Sequence, residues 1–463
     1  MKAIIQAGGK GTRVSSITGD TIPKPMLEIS GYPILYYQIM NLKRSGIKDI
    51  TIIVGHLGEI IKDYFKDGKE LGVNISYITE DPTKPLGTAG ALYYLKEKIN
   101  DDFIFLLADV FIDIDFKKMA SFHYNHDAGV TLLTHPNSHP FDSDLVVADK
   151  NNKVISFDHK SNDRTSYNYH NLVNAGVMIF SKETLDLIKE PKKYSYEKDI
   201  VDPLIKKGKV YSYKSSEYAK DMGTPERYTT VQEDFDKDLP ALKNLSNKQK
   251  CIFLDRDGTI NKYVGFLTNE KDMELIPKVA EAIKKINNSE YLCIVITNQP
   301  VIARGEITEK ELDNIHMKME KLLGEEGAFI NDLYYCPHHP DKGYEGEVKE
   351  LKIVCECRKP SIGMVLKAAR DYNIDLSESY MIGDTTLDIK MAENAGLTSI
   401  LVKTGKAGTD GKYDVEPDYI CDNLSLAVDK VLNKQKERIL KRWVQKILTL
   451  KKQLKNTMKE RLK

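Results

Sequence analysis

Asp255 and Asp257 stand two apart at the end of the apolar run CIFL. Side chains i and i+2 of a strand point the same way, so both carboxylates face one site. Such a pair can supply a nucleophile that forms an aspartyl-phosphate and a general acid/base. Thr297 and Asn298 close a second apolar run, LCIVIT, and can bind phosphoryl oxygens. Arg358 and Lys359 add cations, and Asp384 ends the run SYMIG. Asp388 lies one turn further on and reads as a helix N-terminal charge. Cys336, Cys355 and Cys357 crowd into a short stretch with His338 and His339, a clustering that suggests metal ligation more than disulfides.

The first half carries different chemistry. Gly8, Gly9 and Gly11 follow the apolar run KAIIQA, where the backbone can turn tightly and surround a phosphate with N–H groups. Arg13 adds a charge-assisted donor. The loop lacks both the Gly-Lys-Ser/Thr ending of a Walker loop and the GxGxxG spacing of a dinucleotide fold. Pro23 and Pro25 hold Lys24 in an extended segment. Pro85 to Gly90 opens a helix, and Asp109 ends the run FIFLLA, where α/β sheets place metal-binding carboxylates. Asp221 precedes Met222-Gly223-Thr224-Pro225.

These residues need a scaffold of alternating elements. Residues 1 to 234 show short apolar runs of strand type (KAIIQA, DITIIVG, ISYITE, DFIFLLA, GVTLLT) interleaved with helical patterns such as PILYYQIMNLKRSG and AGALYYLKEKI. That order predicts a largely parallel sheet covered by helices. Residues 235 to 249 are polar and read as a linker; the alternation restarts over 250 to 432 as a second α/β domain. The 463 residues, 41% hydrophobic and 29% charged, exclude a disordered chain, a fibre and a disulfide mini-protein. No apolar run reaches the length of a spanning helix and no signal-peptide core opens the chain, so a cytoplasmic protein is expected.

Net charge is zero, yet residues 433 to 463 hold twelve Lys/Arg against two Asp/Glu. The rest is therefore acidic, which argues against nucleic acid as a partner. In that tail Ile439, Trp443, Ile447, Leu450, Leu454, Met458 and Leu462 recur every three or four residues, a basic amphipathic helix pattern. Self-association and membrane-surface contact are the two readings of it.

In order, GGKGTR, PKP, PLGTAGAL, a strand-end Asp, NAGVMIF and DMGTPE make residues 1 to 234 resemble the sugar-1-phosphate nucleotidylyltransferases. The resemblance implies a mixed-sheet, Rossmann-like domain. It implies that Gly8, Gly9, Gly11, Thr12 and Arg13 hold the triphosphate. Lys24 would neutralise charge in the transition state, and Asp109 and Asp221 would hold Mg²⁺. Glu80, Gly87 and Thr88 would lie near the nucleotide. Asn174, Gly176 and Glu197 would touch the sugar, and Lys160 would take the place of the family's Lys near the sugar phosphate, although its usual Glu-Lys-Pro setting is missing.

DRDGT, a strand-end Thr, a Lys and a final Gly-Asp make residues 250 to 430 resemble the haloacid dehalogenase-like phosphatases. This implies Asp255 as nucleophile and Asp257 as acid/base. Asp255, Asp384 and the carbonyl of Asp257 would hold Mg²⁺, and Thr297 and Lys359 would stabilise the transferring phosphoryl group. Asn298, Arg304 and Arg358 complete the expected sugar-phosphate contacts. The CPHHP and CECRKP segments narrow the resemblance to the zinc-bearing heptose bisphosphate 7-phosphatases, which implies a closed structural Zn²⁺ site of Cys336, His338, Cys355 and Cys357. Cys251, Cys293 and Cys421 read as core residues. Pro300 and Val301 stand where that family has Ser-Gly, which removes a backbone N–H from a loop that meets phosphate.

Together the resemblances imply a bifunctional enzyme of nucleotide-activated heptose synthesis with small-molecule partners. The first half would transfer GMP from GTP to the heptose 1-phosphate that the second half releases. Guanine rests on pathway logic alone, since nothing in GTAGAL or Glu80 reads one base over another. Another sugar phosphate, or a first domain that only senses sugar nucleotides, are the alternatives.

Overall fold

The structure is a computed structural model and describes residues 1–9, 14–343 and 345–437. Backbone contacts divide the chain into two units. The first holds Met1–Gln249 together with His316–Asn331 and Ala368–Asp375; the second holds Lys250–Ile315, Asp332–Lys367 and Leu376–Lys463.

The first unit is built on a nine-stranded mixed sheet. Lys2–Ala7 lies at its centre, parallel to Asp49–Val54 on one side and Phe103–Leu107 on the other. Ala3 and Ile5 face one apolar layer, Ile4 the opposite one, so this strand is buried on both faces. Val173–Phe180 runs antiparallel to Phe103–Leu107 and turns the sheet from parallel to mixed. A separate ribbon pairs Tyr218–Asp221 with Val110–Asp113 and sets Asp221 opposite Val110, one residue from Asp109. The expected helix over PILYYQIMNLKRSG forms as Ile34–Arg44. AGALYYLKEKI instead forms a 3-10 turn over Gly90–Leu95, with Gly90 pressed against the backbone of Lys192.

The stretch read as a linker carries a short helix, Leu239–Leu242, with Leu239, Pro240 and Leu245 buried. Leu245 N–H donates to Glu217 Oε1 at 2.9 Å and Asn244 Nδ2 to Asp113 Oδ1 at 2.6 Å.

The second unit is a six-stranded sheet, parallel throughout. Its spatial order is Asp332–Cys336, Tyr291–Asn298, Lys250–Leu254, Tyr380–Gly383, Thr398–Val402, Tyr419–Cys421. Asp255, Thr297, Cys336 and Asp384 all fall at carboxyl ends of these strands, the edge where open α/β sheets bind ligands. Cys251 and Cys293 are buried in adjacent strands, and Cys421 is half-buried. Residues 424–437 are helical. The tail positions from Ile439 to Leu462 lie outside the described residues. Among the described residues no helix is long and apolar enough to cross a membrane.

Candidate active sites and metal centre

In the first unit Pro23 is extended, and the 3-10 turn Lys24–Met26 then buries Lys24 beneath the sheet edge. Its ammonium lies 2.8 Å from Asp109 Oδ2. Met222 N–H donates to the Asp109 carbonyl at 3.0 Å, which ties the segment after Asp221 to Asp109. Asp221 is gripped by Arg227, whose Nη1 lies 2.8 and 2.7 Å from its two oxygens. Burial pushes the Asp221 carboxyl up, but Arg227, the Gly223 N–H and Lys24 outweigh it and hold the pKa below the usual range. Arg227 gave no signal in the sequence reading, because only the folded loop turns it back onto Asp221.

Glu80 is buried against Gly8, where an added Cβ would collide with its carboxylate. Burial raises its pKa, against donors from Leu86 N–H and the Gln6 amide. Its Oε1 has no hydrogen-bond partner among the described residues. Gly87 has φ +75°, and a side chain there would strike the Tyr194 carbonyl. Thr88 Oγ1 accepts from Tyr196 N–H at 3.0 Å, so its hydroxyl also serves the fold. Asn174 meets the Tyr196 hydroxyl at 3.4 Å, and that hydroxyl donates to Glu197 at 3.0 Å. Gly176 N–H donates to Asn174 Oδ1 at 3.2 Å, which joins these expected sugar contacts in one chain. Lys160 is exposed and pairs with Asp142 at 3.4 Å. Gly9 is exposed at the loop mouth, while Gly11, Thr12 and Arg13 lie outside the described residues.

In the second unit four charges share one buried point. Lys359 Nζ lies 2.8 Å from Asp255 Oδ1 and 2.6 Å from Asp388 Oδ1, and donates to the Ile296 carbonyl at 3.0 Å. Asp255, Asp384 and Asp388 bring carboxylate oxygens within 4.8 Å of one another, a donor set that suits a hard divalent cation. Burial, then repulsion from neighbouring carboxylates, pushes the Asp384 carboxyl up. Asp255 is also pushed up by burial, against the pull of Lys359. Gly258, at φ +83°, lets the backbone pass against Asp384, where any side chain would collide.

Asp388 corrects the sequence reading. It does cap its helix, accepting from Thr385 N–H at 3.1 Å and Thr385 Oγ1 at 2.5 Å. It is also fully buried and bonds Lys359, so it belongs to the site. Asp257 turns away from the three-carboxylate group. Its oxygens accept from Arg256, Gln299 and Asn261. Burial opposes its charge, yet these donors hold its pKa below the usual range. Gln299, which the sequence reading passed over, also donates to Thr297 Oγ1 at 2.9 Å and so joins Thr297 to Asp257. Asn298 and Lys359 exchange two amide hydrogen bonds, at 3.2 and 3.0 Å, which fix the backbone that delivers the lysine. The Arg304 guanidinium stacks 4.0 Å from the centre of the exposed Phe266 ring. Pro300 and Val301 form a buried turn in which the Pro300 carbonyl accepts from Arg304 N–H at 3.0 Å.

Cys336, His338, Cys355 and Cys357 converge at the end of strand Asp332–Cys336. The sulfurs are 3.2, 3.3 and 3.6 Å apart, and His338 Nδ1 is 3.2 Å from Cys357 and 3.7 Å from Cys336. No pair is close enough to be a disulfide, and all three thiols are free. Ligands about 2.3 Å from one tetrahedral centre stand about 3.7 Å apart, so the donor set and spacing fit Zn²⁺. Arg358 Nη1 donates to the His338 carbonyl at 3.1 Å, which couples this cluster to the segment carrying Lys359. His339 sits beside it, its ring nitrogen accepting from Asp341 N–H at 3.2 Å.

A nucleotidyl transferase family model matches residues 2–238, and a HAD-hydrolase-like model matches 356–427. The second half is 41% identical over 178 residues to D-glycero-beta-D-manno-heptose-1,7-bisphosphate 7-phosphatase of Haemophilus ducreyi, covering 38% of this chain and 94% of that one. It is 44% identical over 160 residues to D-glycero-alpha-D-manno-heptose-1,7-bisphosphate 7-phosphatase of Photorhabdus laumondii, covering 34% of this chain and 85% of that one. The crystal structure of HddC from Yersinia pseudotuberculosis is 27% identical with a TM-score of 0.43, covering 50% of this chain and 99% of that one.

Proposed function

The chain belongs to the nucleotidyl transferase family through residues 2–238 and to the heptose bisphosphate 7-phosphatases through its second half, and from that premise we propose one enzyme performing two consecutive steps. The second unit removes the 7-phosphate of D-glycero-D-manno-heptose 1,7-bisphosphate. The first joins the resulting heptose 1-phosphate to a nucleotide, GMP from GTP, and releases pyrophosphate. The α anomer is our choice: the 44% identical relative is named for it, the 41% identical one for the β anomer.

The observation that carries the reading is the Lys359 ammonium held between Asp255 and Asp388 in one unit, with Lys24 on Asp109 in the other. In the phosphatase, Asp255 attacks phosphorus and Asp257 protonates the departing sugar oxygen. Asp257 then takes a proton from the water that cleaves the aspartyl-phosphate. Lys359 and Thr297 face the oxygens that gain charge. In the transferase no covalent intermediate on the protein is needed. The sugar phosphate attacks the α-phosphorus while Lys24, and Arg13 from the glycine loop, spread the charge. Asn174, Gly176 and Glu197 hold the sugar.

Asp255, Asp384 and Asp388, with the Asp257 carbonyl, would hold one Mg²⁺; Asp109 and Asp221 would hold another. The ion supplies charge neutralisation at phosphoryl oxygens when bound. Cys336, His338, Cys355 and Cys357 would hold a structural Zn²⁺ that braces Arg358 and Lys359. What supports guanine is the Oε1 of Glu80 beside the glycine loop, unpartnered among the described residues, an acceptor that suits the adjacent N1–H and N2–H₂ donors of that base. Reduced thiolates and nucleoside triphosphates both fit a cytoplasmic setting.

Purified protein, Mg²⁺ and heptose 1,7-bisphosphate of either anomer, with each nucleoside triphosphate in turn, test this by mass spectrometry. GDP-heptose from the α anomer is expected. Phosphate release without any nucleotide sugar would reject the transferase assignment.

A further inference from the structure

Asp221 and Asp109 are each paired with a cation from the chain itself. Arg227 meets both oxygens of Asp221 through one nitrogen, and Lys24 meets Asp109 at 2.8 Å. The backbone fixes the loop that carries both residues. Gly223 N–H bonds Asp221 Oδ1 at 2.9 Å, and Arg227 N–H bonds the capping hydroxyl of Thr224 at 3.4 Å, so the helix Pro225–Asp236 starts with its arginine turned back over the loop. Two carboxylates and two cations sum to zero. A bare divalent ion would have to dislodge a guanidinium and then sit beside it. An ion already bound to a triphosphate arrives with net negative charge, and its phosphates attract the guanidinium away from Asp221. Both partners are partly exposed, 29% for Arg227 and 40% for Asp221, so the side chain has room to swing.

We propose that Arg227 is a positioning residue, an internal counter-ion that blocks Asp221 against a free divalent cation and transfers to the phosphates when the cation arrives with a triphosphate. The inference rests on reading Asp109 and Asp221 as the cation site of the transferase. It makes metal and triphosphate binding mutually dependent.

The test uses the full chain with Asp384→Asn, which silences the second unit's carboxylate group. Mn²⁺ binding is followed by electron paramagnetic resonance, and binding of Mn²⁺–tripolyphosphate, which carries no base, by calorimetry. Arg227→Gln should bind free Mn²⁺ about fivefold more tightly or better and bind Mn²⁺–tripolyphosphate more weakly by a similar factor. Arg227→Lys, which keeps one charge, should restore most of both. Free Mn²⁺ affinity unchanged or reduced in Arg227→Gln, in protein whose circular dichroism and melting match the parent, overturns the proposal. Added Asp221→Asn separates the two ideas: if it leaves Mn²⁺ binding intact, the cation site itself is wrong and the counter-ion role goes with it.

Discussion

The Lys359 ammonium lies 2.6 Å from the Asp388 carboxylate, while the other oxygen of Asp388 caps the helix that begins at Thr386. One side chain therefore fixes both a helix start and the direction of the Lys359 ammonium. Asp388→Asn keeps a cap acceptor but removes the charge that aims Lys359. Phosphate release should fall on the order of 10²-fold with little change in melting temperature. Wild-type turnover in that variant would confine Asp388 to capping.

The two chemistries should separate by mutation. Asp109→Asn should stop pyrophosphate release and leave phosphate release intact; Asp255→Asn should do the reverse, each by about 10³-fold or more. Parallel assays on the same preparations decide it. Residual activity near wild type in Asp255→Asn would remove Asp255 as nucleophile.

Zinc should be found at one ion per chain by plasma mass spectrometry of protein purified without chelator. Cys355→Ser should lower zinc content, cut phosphate release and lower the phosphatase melting transition by roughly 5 °C, while GTP-dependent pyrophosphate release persists. Zinc-depleted protein with full phosphatase activity would dismiss the brace.

Glu80→Gln replaces one acceptor oxygen of the proposed base contact with a donor. Losing a charged acceptor costs about 1.5–3 kcal/mol, so kcat/KM with GTP should drop about 10- to 10²-fold and the preference over ATP should shrink. An unchanged GTP/ATP ratio would mean that Glu80 does not read the base.

Glu217 gives a pH signature in stability. Burial, against donors from Leu245, Asp115 and Ser215, pushes its pKa from 4.5 up to about 7. The fold thus favours the neutral acid. That advantage is fully present below pH 4.5 and is lost as pH rises through 7, about 3 kcal/mol in all. Wild-type stability should fall relative to Glu217→Gln across that window. A difference independent of pH would show that Glu217 ionises as freely in the folded chain as in the unfolded one.

Much of this was legible in the sequence because it is local. Asp255 stands at a strand end as its apolar run predicts, while Asp257, expected on the same face, is drawn to Arg256, Gln299 and Asn261 because the strand stops at Leu254; the Cys336-x-His338 and Cys355-x-Cys357 spacings bring ligands together within single turns. The alternation of apolar runs and helical patterns sufficed for two α/β units, and for the strand ends where Asp109, Asp255 and Asp384 sit.

What stayed hidden depends on which side chains meet across elements. Asp388 looked like a cap because its other partner, Lys359, is 29 residues away and arrives on a different loop. Leu239 and Leu245 are too sparse to reveal that the 235–249 stretch packs down. The burial that raises Glu80, and the turn that lays Arg227 on Asp221, exist only once sheet and loops close. Residue types and spacings set the chemistry available to the chain. Only tertiary packing chose which cation pairs with which carboxylate, because that pairing depends on distance and desolvation, and neither is defined along a linear sequence.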